Sequence, residues 1–303
     1  MPGEWETQKS VWLIWPYNEK DWPKLFKKIP DVVGKISACL SINQNVNLII
    51  RNLKDISRIK KIIKKFKSKI SNIKFHSIKS DRIWIRDSGP IFLINKKTKN
   101  KIKKIVLEGG SIDVNGKGTI ILTKECLLSK VQERNPGVTK LKLENALKDY
   151  LNVSNFIWLN RGIDGDDTHG HVDDITRFVS QNTIMTAIEN NRKDKNYKRL
   201  KENLKILKKS KIENGKKLKI IKIPMPKPIY IDNIKVPASY LNFYIANKIV
   251  LLPVFNDKND KKVFLIFKKF FKSRKIIPID CSELIWGFGA IHCMTQQEPY
   301  LNP

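Results

Sequence analysis

The sequence predicts an α/β fold built on mixed, partly antiparallel sheet. Three observations lead there. Strand-like and helix-like stretches alternate along the 303 residues, the pattern of a layered α/β protein. Several strand pairs are joined by tight turns, most plainly at Asn115-Gly116, a pairing that favours hairpins over crossovers. The 41% hydrophobic content suffices for a sizeable core in one large domain or two small ones; no Gly-, Ser- or Pro-rich linker divides the chain, and a single domain over residues 1–303 is expected.

The elements follow in order. Residues 11–15 form a short apolar run closed by Pro16, a first strand. The cluster Trp5, Trp12, Trp15 and Trp22 is read as packing, because aromatic side chains dominate cores. Residues 30–40 have helical spacing and residues 46–50 are a strand. A basic amphipathic helix is predicted over 53–67, with Ile56, Ile59, Ile62, Ile63 and Phe66 on one face. Strands are predicted at 73–78, 92–94 and 105–110, with a lysine-rich turn at 97–103. The hairpin turn at 113–118 returns into a strand over 119–122. Residues 139–150 read as a helix, 156–159 as a strand, and 162–174 as a loop dense in Asp and His. A strand at 176–179, a basic helix at 195–208 and a strand at 217–223 precede a loop carrying Pro224, Pro226 and Pro228. A strand at 249–254, a helix at 260–271 and a strand at 275–278 lead into the last motif.

The formal charge is +30. A nucleic-acid or anionic-surface protein is one reading. However, Lys outnumbers Arg, the lysines are spread along the chain, and no groove-reading motif appears; no specific nucleic-acid partner is expected. Cys39, Cys126, Cys281 and Cys293 are scattered, with no C-x-x-C pair and no disulfide framework. The polar start and the lack of a long apolar run predict a soluble, cytoplasmic protein with no membrane partner. No phosphate-cradling glycine motif is present.

Four places put polar residues where strands should stop: Asp87 in Arg-Asp-Ser-Gly-Pro, Glu108 before Gly109-Gly110, His171 with Asp173, and Cys293 after Gly287 and Gly289. The glycines would permit a sharp turn that exposes a reactive thiol. In an extended segment His171 and Asp173 would share a face. One Cys, one His and several carboxylates suit covalent chemistry on a cation. A guanidinium is a poor electrophile until carboxylates fix and localise its charge. A thiolate can then add to its carbon, while a His protonates departing ammonia and later deprotonates water. Cys39, Cys126, Cys281 and His292 are read as structural; Asp166, Asp167 and Asp174 as turn-forming or solvated. A metal site on His169 and His171 with Asp166 or Asp167 is the alternative, lacking a distant further ligand.

These motifs resemble the agmatine deiminase family of the guanidine-modifying (pentein) superfamily. The resemblance covers nearly the whole chain: the opening through Trp5 and Pro16, Trp84 to Pro90, Leu107 to Ile112, Arg134 to Pro136, Gly170 to Asp173 with Arg177-Phe178, Ala238 to Asn247, and Ile291 to Gln297. It implies a five-bladed α/β propeller with pseudo-five-fold symmetry and hydrolysis of agmatine to N-carbamoylputrescine and ammonia, a step in polyamine synthesis. Cys293 would be the nucleophile, His171 the acid and base, and Asp87 and Asp173 the guanidinium clamp. Glu108 would orient His171 or complete the clamp, and Trp84 would stack on the guanidinium face. No cofactor or metal is implied. The small-molecule partner would be agmatine, and the assembly, monomer or homodimer, is left open.

Two departures stand out. The family has a longer segment between the Asp87 and Glu108 motifs, where this chain has only Ile91 to Leu107. Phe288 stands within what is a glycine triplet in the family, and would be strained if its φ were positive. A deiminase of free or peptidyl arginine shares the chemistry at the guanidinium, and a non-catalytic basic protein on the same scaffold is the rival outside enzymes.

Overall fold

The computed structural model describes residues 1–93 and 105–300. By internal packing the chain forms two units, Met1–Glu4 with Ile91–Met225, and Trp5–Pro90 with Pro226–Pro303. Each is mixed α/β. Among the described residues no helix is long and apolar enough to cross a membrane.

The first unit repeats one pattern. Strand Ile112–Val114 pairs antiparallel with Thr119–Thr123 across the Asn115-Gly116 turn. Helix Lys140–Leu151 then returns the chain so that strand Asn155–Leu159 pairs parallel. Thr139 starts that helix by accepting from the Lys142 N–H, and Asn152 ends it in the left-handed region at φ 54°, the usual devices at each end. Leu143, Leu147 and Leu151 pack on Ile120, Leu122 and Trp158. The pattern recurs in strands Thr176–Ser180, Thr183–Ile188 and Lys219–Pro224 with helix Lys195–Lys209. This helix buries Leu200 and Leu207, and its lysines lie on the solvated face.

In the second unit, strands Tyr244–Ile245, Ile249–Val254 and Lys275–Asp280 repeat the pattern around helix Asp260–Phe270. A four-stranded sheet extends it: Gln296–Pro299 pairs antiparallel with Gln8–Ile14, followed by helix Ile29–Ser41 and the parallel strands Asn45–Ile50 and Ile73–Ser77.

Several expectations are corrected. The basic helix predicted over 53–67 is a 3-10 turn at Leu53–Asp55 followed by Ile56–Ile63 only. Residues 105–108 are irregular and Gly109–Ser111 is a 3-10 turn, so the strand expected at 105–110 begins instead at Ile112. Residues 92 and 93 are not strand; residue 94 and the turn predicted at 97–103 lie outside the described residues. Elements that escaped the sequence reading include the short helices Ile85–Ser88 and Lys124–Leu127, strands Thr183–Ile188 and Tyr244–Ile245, the hairpin Ile229–Ile231 with Ile234–Val236, and strand Gln296–Pro299. The last is polar in sequence, but Glu298 is satisfied by Lys9, Ser10 and the Trp12 indole N–H, which removes the cost of placing it in a sheet.

Candidate active site

In the second unit, Cys293 lies in a turn over residues 291–294 and is 6% exposed. Strand pairing fixes the chain just beyond it, and Asn242 fixes the turn itself. The Asn242 Oδ1 accepts from the backbone N–H of His292 at 2.9 Å and of Cys293 at 3.3 Å. Its Nδ2 donates to the Cys293 Sγ at 3.1 Å. An amide N–H aimed at sulfur stabilises a thiolate over a thiol. The sequence reading placed Asn242 in a matching block without giving it a task, since no pattern in sequence ties an Asn to a Cys 51 residues away.

The short helix Ile85–Ser88 is tied to this turn through Arg86, which is 3% exposed. Its N–H donates to the Cys293 carbonyl at 3.0 Å, its Nε to the His292 carbonyl at 3.3 Å and its Nη1 to Gln297 Oε1 at 2.6 Å. Asp87 and Trp84 are therefore held on a segment anchored to the backbone of the nucleophile candidate. Trp84 also lies against the glycines. A Cβ at Gly287 or Gly289 would come within 2.8 Å of the Trp84 ring. The two glycines are thus required for close approach of the indole rather than for positive φ, a correction to the sequence reading. The residue with positive φ in this stretch is Phe288, at φ 65° and ψ 24°, so the condition for strain at that position is met. His292 is 2% exposed, in a turn and not an extended segment. An open cleft of about 760 Å³ in this unit is lined by Asp21, Asp81, Arg82 and Phe288 among others; Cys293, Asp87 and Trp84 do not line it.

In the first unit, His171 is 1% exposed and Asp173 0%. The loop before them folds on Asp166, whose Oδ2 accepts from the N–H of Gly170 at 2.8 Å and of His171 at 3.1 Å. Asp166 is thus the turn former expected of it. Gly162 has no room for a Cβ, which would meet the Gly170 Cα at 2.3 Å, and Gly170 itself sits at φ 104°. Residues 172–174 form a 3-10 turn, so the extended geometry assumed for His171 and Asp173 does not hold; both are nevertheless buried in the same loop.

Glu108 Oε2 lies 3.7 Å from His171 Nε2, an ion-pair separation longer than a hydrogen bond. The Arg134 Nε donates to both Glu108 oxygens, at 2.9 and 3.2 Å. Arg134 is fixed in turn by the carbonyls of Thr168 and Cys126. Burial alone would raise the Glu108 carboxyl, yet His171 and the Arg134 guanidinium outweigh it and bring its pKa down to about 2. Glu108 is therefore ionised at neutral pH and faces the imidazole as a carboxylate. Arg134 was another unassigned member of the matching blocks.

Arg177 is fully buried, with Nε 2.6 Å from Asp113 Oδ2 and Nη2 2.9 Å from Glu4 Oε1. Burial would lower its pKa, but Glu4, Asp113 and Asp173 more than offset that and raise it. The metal reading on His169 is not supported among the described residues. His169 Nδ1 meets the Asp167 carbonyl at 2.8 Å, and the side chains gathered at metal-ligand spacing are Glu108, Cys126 and His171.

Comparison with known proteins places this arrangement. A profile of the Porphyromonas-type peptidyl-arginine deiminases matches residues 1–102 and 94–299. The agmatine deiminase of Pseudomonas aeruginosa is 30% identical over 99% of this chain and 95% of its own. That alignment runs over 367 residues against 303 here, so the relative carries residues this chain lacks. The two profile matches overlap at 94–102, inside the short stretch from Ile91 to Leu107. Among solved structures, the substrate-bound agmatine deiminase of C. jejuni superposes with TM-score 0.85 at 28% identity, covering 98% of this chain and 95% of that one. The enzyme of Enterococcus faecalis gives 0.85 at 26%, covering 99% and 95%. An amidinotransferase of Microseira wollei shares the fold alone, at TM-score 0.51 and 10% identity, covering 98% and 96%. The chain belongs to the Porphyromonas-type peptidyl-arginine deiminase family, together with the agmatine deiminases it aligns with end to end.

Proposed function

We propose that this chain is an agmatine deiminase, a cytoplasmic hydrolase that converts agmatine and water to N-carbamoylputrescine and ammonia. The observation that carries the reading is the Asn242 amide on the Cys293 sulfur, in a turn whose backbone is tied to the Asp87 segment. A core cysteine has no use for such an amide.

The chemistry divides among the named side chains. Asp87 and Asp173 would accept from the guanidinium N–H groups and localise its charge. The Cys293 thiolate adds to the central carbon, forming a C–S bond and a tetrahedral intermediate. His171, as imidazolium, gives its proton to the departing amino group, the C–N bond breaks and ammonia leaves. The neutral imidazole then takes a proton from water, whose oxygen attacks the same carbon. The C–S bond breaks, the thiolate returns and the ureido product departs. Glu108 holds a negative charge opposite His171, which favours the imidazolium needed for the first step. Trp84, packed on Gly287 and Gly289, would offer its ring to the guanidinium, a contact worth up to about 2 kcal/mol when desolvated. The five-bladed propeller and a single catalytic domain over residues 1–303 belong to the same proposal. The strand–strand–helix–strand pattern, present four times among the described residues, supports it.

The test is to supply purified protein with agmatine, arginine and an arginine-containing peptide, and to measure ammonia and ureido product. Turnover of agmatine above the others is expected. Preference for arginine or the peptide would move the chain to the other substrates of this chemistry. Inertness toward all three would refute a deiminase.

A further inference from the structure

Cys126 has no task in the reaction, yet its position is chemically pointed. It follows Thr123, whose side chain accepts from the Cys126 N–H and starts the short helix Lys124–Leu127. The cysteine is 1% exposed. One ligand-capable atom from each of Cys126, His171 and Glu108 lies within 4.8 Å of the others. Sulfur, imidazole nitrogen and carboxylate oxygen on a tetrahedral zinc sit roughly 3.5 Å apart, given metal–ligand bonds of about 2.0–2.3 Å. Closing on an ion therefore needs side-chain movements on the order of 1 Å. We propose that Glu108, Cys126 and His171 form a binding site for zinc or a similar borderline-soft divalent ion, and that its occupancy shuts the enzyme off.

The donor set selects the metal class. Thiolate with imidazole favours zinc, cobalt or cadmium over magnesium or calcium, which prefer all-oxygen shells. Charge balance is favourable: the Cys126 thiolate and the Glu108 carboxylate neutralise a divalent ion. Arg134 is the opposing cation. Its guanidinium is held by the Thr168 and Cys126 carbonyls as well as by Glu108. A metal can therefore take one Glu108 oxygen while Arg134 keeps the other. Three protein ligands leave a further position for water, as at open zinc sites. Glu108, 24% exposed at its side chain, is the most accessible of the three donors.

The inhibitory half rests on the function proposed above: an imidazole nitrogen bound to metal can neither give a proton to ammonia nor take one from water. The site itself does not rest on that function. It is tested by titrating cobalt(II) into the Cys293→Ala protein and recording the near-ultraviolet charge-transfer absorption of a thiolate–cobalt bond. Removing the nucleophile first eliminates its thiol as a competitor, and loss of the band in the Cys126 variants separates Cys126 from the remaining Cys39 and Cys281. One equivalent of cobalt is expected to develop the band, and zinc to bleach it by displacement. Adding Cys126→Ala or, to preserve volume, Cys126→Ser should remove the band and weaken binding by roughly tenfold or more. Circular dichroism shows that each variant is folded. Absence of the band, or its survival in both Cys126 variants, overturns the site. In the enzyme with Cys293 intact, zinc should abolish agmatine turnover, and Cys126→Ala should keep turnover while losing zinc sensitivity. Equal zinc sensitivity with and without Cys126 overturns the inhibitory role. A protein that shows the band yet turns over no guanidine contradicts the proposed function and supports the site.

Discussion

Replacing Glu108 with Gln changes one charge and almost no volume. The wild-type carboxylate faces His171 at 3.7 Å and accepts from Arg134 at 2.9 Å. Its pKa falls from an ordinary 4.5 to about 2 on folding, which corresponds to about 3 kcal/mol of stability at neutral pH. Gln still offers an oxygen to Arg134, so this is the upper bound of the loss. The pH dependence fixes the origin of the effect. A carboxyl depressed on folding contributes fully above its unfolded value, and the contribution is lost as pH falls through the folded value near 2. The stability gap between wild type and Glu108→Gln should therefore narrow on acidification, by roughly 1 kcal/mol between about pH 7 and about pH 3.5. Urea denaturation of both proteins at the two pH values measures it. In parallel, turnover should fall on the order of 10²-fold, because the imidazolium loses its anionic partner. A stability gap that stays constant with pH would refute the charge argument. Undiminished turnover would refute the link from Glu108 to His171.

Other outcomes follow from the same geometry. Asn242→Ala removes the N–H on the Cys293 sulfur and should lower kcat on the order of 10- to 10²-fold. Asn242→Asp keeps the acceptor for the turn N–H groups but sets a negative charge at the sulfur, so its pH–rate profile should move to higher pH; an unchanged profile would contradict the role given to Asn242. At Phe288, with φ 65°, both Phe288→Gly and Phe288→Ala lose the same ring, so their difference reports backbone strain. Gly should be the more stable by about 1 kcal/mol in denaturant midpoints, and the reverse order would contradict it. Dialysis against a chelator should leave agmatine turnover intact, as the mechanism routes no step through a metal; a loss restored by zinc would contradict it.

Much of this was legible in sequence. The strands at 46–50 and 249–254 and the helices at 30–40 and 260–271 were read close to their observed bounds, because apolar periodicity and turn residues report burial directly. Strand Gln296–Pro299 was not, since its side chains are polar and it is made a strand by pairing with residues far away along the chain. The candidate site residues stood out because Asp87, Glu108, His171 and Cys293 occupy motifs that a hydrophobic core does not need. Their supports did not. Arg134, Asn242 and Arg86 act through hydrogen bonds spanning 26, 51 and 206 residues, and no local pattern encodes such pairings. The glycines at 287 and 289 were found for the wrong reason: a turn was inferred, but the need is room for the Trp84 ring.

The central claim is that Cys293 carries the substrate carbon through the reaction, and mass spectrometry tests it most directly. Protein quenched in acid during agmatine turnover is digested and its peptides weighed. The peptide containing Cys293 should gain the mass of agmatine less one ammonia, and Cys293→Ala should show neither adduct nor turnover, while Cys126→Ala and Cys281→Ala retain both. An adduct on another cysteine, or turnover in Cys293→Ala, would contradict the account.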